Sequence, residues 1–183
     1  MRVFVLTVAI IAVLAPVGAS SSFTAELGGK KVKMVNGDRQ EIGEVTVTET
    51  PSGVLIRLDL QRNPAKVAPG THAVHIHEVG QCVPPFQSAG AHLNPMKKQH
   101  GFLDKQGTHI GDLPNIHVPQ DGPFTVEMMI PQASLSGSRT NLLDGDGFAV
   151  VIHQGADDYK TDPAGDSGDR IACAAIEGVA QLR

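Results

Sequence analysis

Past its first nineteen residues the chain holds no apolar repeat of period 3.6 for as much as three turns. It offers instead a succession of short runs bounded by turn residues, the early ones alternating apolar and polar. Alternation with period 2 places the apolar side chains on one face of an extended segment, and the chain reads as strand after strand. The runs are Lys31–Val35, Ile42–Thr48, Val54–Leu60, Thr71–Val79, Ile116–Val118, Phe124–Ile130, Phe148–His153 and Ile171–Val179. Asn36-Gly37-Asp38 and Pro51-Ser52-Gly53 carry the turn chemistry between the first three. Eight strands with Gly and Pro turns predict an all-β, Greek-key β-sandwich or flattened barrel, built as one domain. With no Trp, its core must be made of Val, Ile and Leu. Two connections, roughly 80–110 and 154–169, are too long for hairpins, and long ordered loops usually carry function.

Residues 1–19 are a separate matter. Arg2 precedes an apolar run from Val3 to Leu14, and Val17-Gly18-Ala19 places small residues at a cleavage point. The pattern predicts a secretory signal peptide over 1–19 and a mature domain over 20–183. Pro16 and Gly18 interrupt the run before it spans a bilayer, so no membrane association is expected after cleavage. Loss of Arg2 takes the formal net charge from −4 to −5. A mildly acidic chain without a basic run is a poor nucleic-acid binder. Export also governs the two cysteines. In an oxidising compartment Cys82 and Cys173 are expected to form a disulfide that ties the loop after the Thr71–Val79 run to the last strand. Thiolate ligation of a metal is the alternative.

Five histidines and an aspartate crowd the first long connection and the strand before it. His75 and His77 alternate with Val74 and Ile76, so both imidazoles point to one face of a strand. His92, His100, His109 and Asp112 follow on segments punctuated by Gly and Pro. Two histidines on a strand facing a loop with three more and a carboxylate predict a metal site. Imidazole suits copper and zinc, and a set with Asp suits zinc. His153 ends the strand Phe148–His153, where a neighbouring strand would add a ligand to the His75 and His77 pair. The loop after it is rich in Gly and Asp but lacks the EF-hand pattern. A carboxylate here suits the role of accepting the N–H of a metal-bound imidazole. Arg170 closes the loop three residues before Cys173 and becomes an anion guide if it lies beside the metal.

These fragments, in this order, resemble the copper/zinc superoxide dismutase family, in particular its exported bacterial-type branch. The resemblance covers about residues 30–181. It rests on His75-Ile76-His77, Gly80 to Cys82, Ser88-Ala89-Gly90-Ala91-His92-Leu93-Asn94-Pro95 and His100-Gly101. It continues through His109-Ile110-Gly111-Asp112-Leu113, Val151-Ile152-His153 and the run from Gly165 to Cys173.

The resemblance implies one copper per subunit on His75, His77, His92 and His153, and one zinc on His92, His100, His109 and Asp112. His92 is then a shared imidazolate that also carries a proton. It implies Asp157 as the carboxylate linking a copper-binding to a zinc-binding His, Arg170 as the anion-guiding group, and Cys82–Cys173 as an intrachain disulfide. The substrate is superoxide, converted to dioxygen and hydrogen peroxide by copper cycling, as protection outside the cytoplasm. His72 falls at a structural position behind the copper strand, and His117 receives no role. Val74 stands where the family commonly has an aromatic, and Ala174 where Gly is usual. The loop 154–169 is short, so Lys97 and Lys98 are further candidates for steering charge. Branches of the family differ in dimer geometry, so a homodimer stays open. The periplasm is favoured over the extracellular space. A copper-handling protein of this fold, a copper-only relative and a metal-free adhesion sandwich are the competing readings. The first two usually lack ligands or the arginine present here, and the third leaves six histidines unexplained.

Overall fold

The computed structural model describes residues 29–61, 67–135, 137 and 140–178. The signal expected over 1–19 lies outside these residues. Eleven strands are found among the described residues: β1 (Lys30–Asn36), β2 (Glu41–Thr50), β3 (Gly53–Leu60), β4 (Gly70–His72), β5 (Val74–His77), β6 (Ile116–Val118), β7 (Phe124–Ile130), β8 (Ala133–Ser134), β9 (Thr140–Asn141), β10 (Phe148–His153) and β11 (Arg170–Ile176). Seven of them form one sheet in the order β5-β10-β11-β1-β2-β3-β7, every neighbouring pair antiparallel. It curls into a half-barrel. The first strand lies beside the last, so the chain crosses over as a Greek-key fold requires. β4 pairs with β6, and the two-residue strands β8 and β9 form a small parallel pair that the alternation did not predict.

Side-chain alternation drives this arrangement. On β3, Val54, Ile56, Leu58 and Leu60 are buried while Arg57 points outward beside Asp59 and Glu127. Each such aliphatic side chain contributes about 1.5–3 kcal/mol on burial. They meet Val45 and Val47 of β2, Ile116 and Val118 of β6, and Val150 and Ile152 of β10 in one continuous core. Gly53 sits at the β2–β3 turn with φ 138°, and a Cβ there would stand 2.4 Å from the Ile130 carbonyl. Only glycine fits that approach.

The predicted strand over Thr71–Val79 is in fact two, and it ends at His77. Ala73 divides them because its backbone bonds leave the ladder: its N–H donates to Gly155 O and its carbonyl accepts from His153 N–H. β4 therefore pairs with β6, while β5 pairs with β10. The last strand stops at Ile176, and Val179 lies outside the described residues.

β10 is buried along its whole length, on both faces. Phe148, Val150 and Ile152 face the main core, whereas Ala149 and Val151 face a second cluster with Phe86, Ala89 and Cys173. In the β5–β10 register Val151 lies opposite His75 and Ala149 opposite His77. The histidines thus occupy the face away from the aliphatic core, roofed by the connection between β5 and β6.

Candidate metal centre

That connection is moored to the edge of β5. Ile76 N–H donates to Gly111 O, and Ile76 O accepts from Leu93 N–H, both at 2.8 Å. His77 thereby faces His92, and His75 faces Asp112, as isolated antiparallel bridges. On the other side of β5, the β10–β11 register shifts between Ile152 and His153. Such a bulge re-aims the side chain that follows it.

The ring nitrogens of this region divide into those with a hydrogen-bond partner and those without. His77 Nδ1 donates to Gly90 O at 3.0 Å, His153 Nδ1 lies 3.2 Å from Gly168 O, and His75 Nε2 lies 2.8 Å from Asp157 Oδ2. The remaining nitrogens, His75 Nδ1, His77 Nε2, His92 Nε2 and His153 Nε2, are buried without a hydrogen-bond partner. Leaving a buried polar atom unpaired costs about 1–3 kcal/mol. These four residues each offer one ligand atom, all within 4.8 Å of one another. Four converging imidazole nitrogens with nothing to bond are a donor set for copper or zinc. Burial, the largest effect in each case, pushes His77 down to about 2, His153 to about 3 and His92 to about 4. The rings are therefore neutral near pH 7, with lone pairs available.

A second donor set adjoins the first. Asp112 Oδ1 lies 3.1 Å from His92 Nδ1, 3.0 Å from His100 Nδ1 and 3.1 Å from His109 Nδ1. His109 Nδ1 and His92 Nδ1 are 3.4 Å apart. A tetrahedron with metal–ligand bonds of about 2.0–2.1 Å has edges of about 3.3–3.4 Å, so the spacing suits zinc. His75, His92, His100 and Asp112 also fall within 4.8 Å of one another, but His75 Nε2 is taken by Asp157 and its Nδ1 belongs to the first set. His109 is thus the better fourth member. Asp112 Oδ2 accepts from Gly101 N–H, His109 N–H and the Thr108 hydroxyl, which leaves Oδ1 to face the imidazoles. Burial opposes ionisation of Asp112, yet its bonds to His100, His109 and His92 hold it far below the usual carboxylate range. His100 is likewise opposed by burial, but Asp112 and Asp157 raise it to about 9.

Asp157 joins the two sets. Its Oδ2 meets His75 Nε2 at 2.8 Å and its Oδ1 meets His100 Nε2 at 2.9 Å. The bridge requires Gly165: a Cβ there would stand 1.8 Å from Asp157 Oδ1. Arg170 reaches back from β11 to donate to Phe86 O and Gly90 O, both at 2.8 Å. The Gly90 carbonyl is thereby shared between Arg170 and His77. Cys82 and Cys173 are bonded, with Cα atoms 5.7 Å apart, and they fasten this same loop to β11. His72 is buried, with ring nitrogens near the carbonyls of His153 and Ala68, whereas His117 is exposed on β6. Lys97 and Lys98 are exposed on the loop that carries His100, and Lys98 O lies 3.2 Å from His109 Nε2.

The six histidines and Asp112 expected to hold metal therefore converge on one region with Asp157, whereas His117 lies apart on the surface of β6. Thr108, Asn115 and Tyr159 were not singled out, and Gly165 was read only as part of a motif. None carries a metal-ligand signature, and no local sequence signal gives Asn115 a role.

Comparison with known proteins bears on this geometry. The family model described as copper/zinc superoxide dismutase matches residues 41–176. The chain is 44% identical over 146 residues to a copper/zinc superoxide dismutase of Aquifex aeolicus, covering 79% of this chain and 85% of that one. It is 46% identical over 145 residues to that of Caulobacter vibrioides, covering 77% and 81%. Among solved structures, a superoxide-dismutase-like protein from Bacillus subtilis superposes with a TM-score of 0.75 at 40% identity, covering 81% of this chain and 99% of that one.

Proposed function

This chain belongs to the copper/zinc superoxide dismutase family, and we propose that His75, His77, His92 and His153 hold its copper while His92, His100, His109 and Asp112 hold its zinc. The observation that carries this assignment is the set of four buried, unpartnered nitrogens, one of which belongs to a ring whose other nitrogen faces Asp112. Copper, when bound, would supply a centre that accepts an electron from one superoxide and returns it to a second, giving dioxygen and, with the uptake of two protons, hydrogen peroxide, while zinc would supply fixed charge and geometry.

The side chains divide the remaining work. His77 and His153 are oriented by the Gly90 and Gly168 carbonyls, so their Nε2 atoms stay aimed at one point. His75 is turned the other way, Nδ1 inward, because Asp157 holds its Nε2. His92 presents Nε2 on the copper side, and this atom carries a proton toward the peroxide product. Arg170, half buried and fixed by two carbonyls, supplies positive charge beside the His77 loop, where it attracts an anionic substrate. A disulfide fits an exported protein. Among the described residues no helix is long and apolar enough to cross a membrane. We assign the site of action to the periplasm, on the signal-like sequence of residues 1–19.

The test is superoxide decay with the chain lacking residues 1–19, oxidised and loaded with both metals. Fast loss that disappears on copper chelation is expected. A folded protein with both metals bound and no catalysis would overturn the assignment and favour copper handling.

A further inference from the structure

Asp157 can link His75 to His100 only if its backbone is held still, and it lies in the β10–β11 connection, away from any ladder. Both of its backbone groups are instead satisfied by one side chain. Asn115 Oδ1 accepts from Asp157 N–H at 2.8 Å, and Asn115 Nδ2 donates to Asp157 O at 2.9 Å. The reciprocal pair imitates a rung of a β-ladder. Asn115 itself is well anchored, since it directly precedes β6, whose Ile116 is in the main core. Its own N–H donates to the Tyr159 hydroxyl at 2.7 Å. Tyr159 N–H in turn donates to Asp157 Oδ1, also at 2.7 Å. The tyrosine ring packs 5.2 Å from Phe102, two residues beyond His100.

We propose that Asn115, with Tyr159, is the positioning residue of the bimetallic site: it clamps Asp157 to the sheet, so that the β5–β6 and β10–β11 connections order each other. The inference rests on the metal assignment above for its consequence, though not for its geometry. With the clamp in place, His75 and His100 have their outward nitrogens fixed by one carboxylate. Without it, the buried backbone of Asp157 is left unpaired, and the carboxylate loses its fixed position between the two rings.

The test uses the full oxidised chain and three variants, Asn115→Ala, Asn115→Asp and Tyr159→Phe. Asn115→Asp keeps shape and the acceptor but loses the donor to Asp157 O, and Tyr159→Phe keeps the ring and loses the hydroxyl. Cobalt(II) serves as probe of the zinc ligands through its visible bands, and trypsin probes the second connection at exposed Lys160. Removing a group that orients ligands typically costs about 10–100-fold in metal affinity. Asn115→Ala is expected to show a loss of that size with altered cobalt bands, and faster cleavage after Lys160 with or without metal. Asn115→Asp and Tyr159→Phe are expected to move the same way by smaller amounts. Amide exchange in β2 and β3 is expected to stay slow. If Asn115→Ala loses that protection too, it has unfolded, and the two milder variants decide. Unchanged affinity, bands and cleavage in those variants would overturn the clamp. If the parent chain binds no cobalt, the metal assignment fails, and the cleavage rates of the metal-free variants alone decide the clamp.

Discussion

His92 turns Nδ1 toward Asp112 Oδ1, 3.1 Å away, and buries its Nε2 without a partner. One imidazole thus belongs to two donor sets, and Asp112 decides which nitrogen faces which. The ring is the one member common to both sets, while Asp157 joins them a second time from outside through His75 and His100.

His153 is the only member of the unpartnered set carried by β10. His153→Ala is expected to lower superoxide turnover on the order of 100-fold or more, since removing even an outer partner of a metal ligand costs 10–100-fold. Zinc binding and the far-ultraviolet spectrum are expected to stay as in the parent. Full activity would remove His153 from the copper site.

Arg170 both carries charge and anchors the loop through Phe86 O and Gly90 O. Arg170→Ala is expected to slow turnover about tenfold or more and to flatten its dependence on ionic strength. Arg170→Lys separates the two duties, because it keeps the charge and loses the planar fork. A salt response preserved in the lysine variant alongside a reduced rate would identify anchoring as the second contribution. An alanine variant with unchanged rate and salt response rules out guidance by Arg170.

In the metal-free protein, His77, His92 and His153 are held below their ordinary value by burial. Between about pH 4 and 6.5 the unfolded chain therefore binds more protons than the folded one, and stability rises with pH. Each imidazole contributes up to about 1.4 kcal/mol per pH unit over that window. His100, raised to about 9, acts oppositely: its contribution is full below 6.5 and is lost as pH climbs through 9. Urea unfolding after chelation is expected to give maximal stability near neutral pH, with a fall on both sides. A flat profile from pH 4 to 6.5 would show that these rings are not held neutral.

The Cys82–Cys173 bond closes a loop between residues 91 apart. By the chain-entropy relation its removal, as the double serine variant, costs about 4–5 kcal/mol. Because Cys82 lies just before Phe86, whose carbonyl Arg170 holds, the variant is also expected to lose activity in excess of its unfolded fraction at equal metal content. Denaturant midpoints and turnover measured on the same samples distinguish the two losses.

Strand content was legible because period-2 burial is a local property. Phe124–Ile130 begins and ends where the alternation places it, and Phe148–His153 where its continuous apolar run does. The split at Ala73 was not legible, because it depends on where Gly155 and His153 arrive from eighty residues away. The same division runs through the site. His75 and His77 share a face by strand geometry alone, and the density of His and Asp marked a metal centre. Residue types by themselves determined which atoms are available to a metal. Which nitrogen of each ring is available was decided by tertiary contacts: Gly90 and Gly168 carbonyls for His77 and His153, Asp157 for His75, Asp112 for His92. Asn115 shows the limit most plainly. Nothing in its neighbourhood distinguishes it from a polar loop residue, because its partner lies 42 positions away and is brought to it only by the assembled fold. Hydrogen bonds between distant segments leave no periodicity in a sequence, so only the assembled fold assigns them.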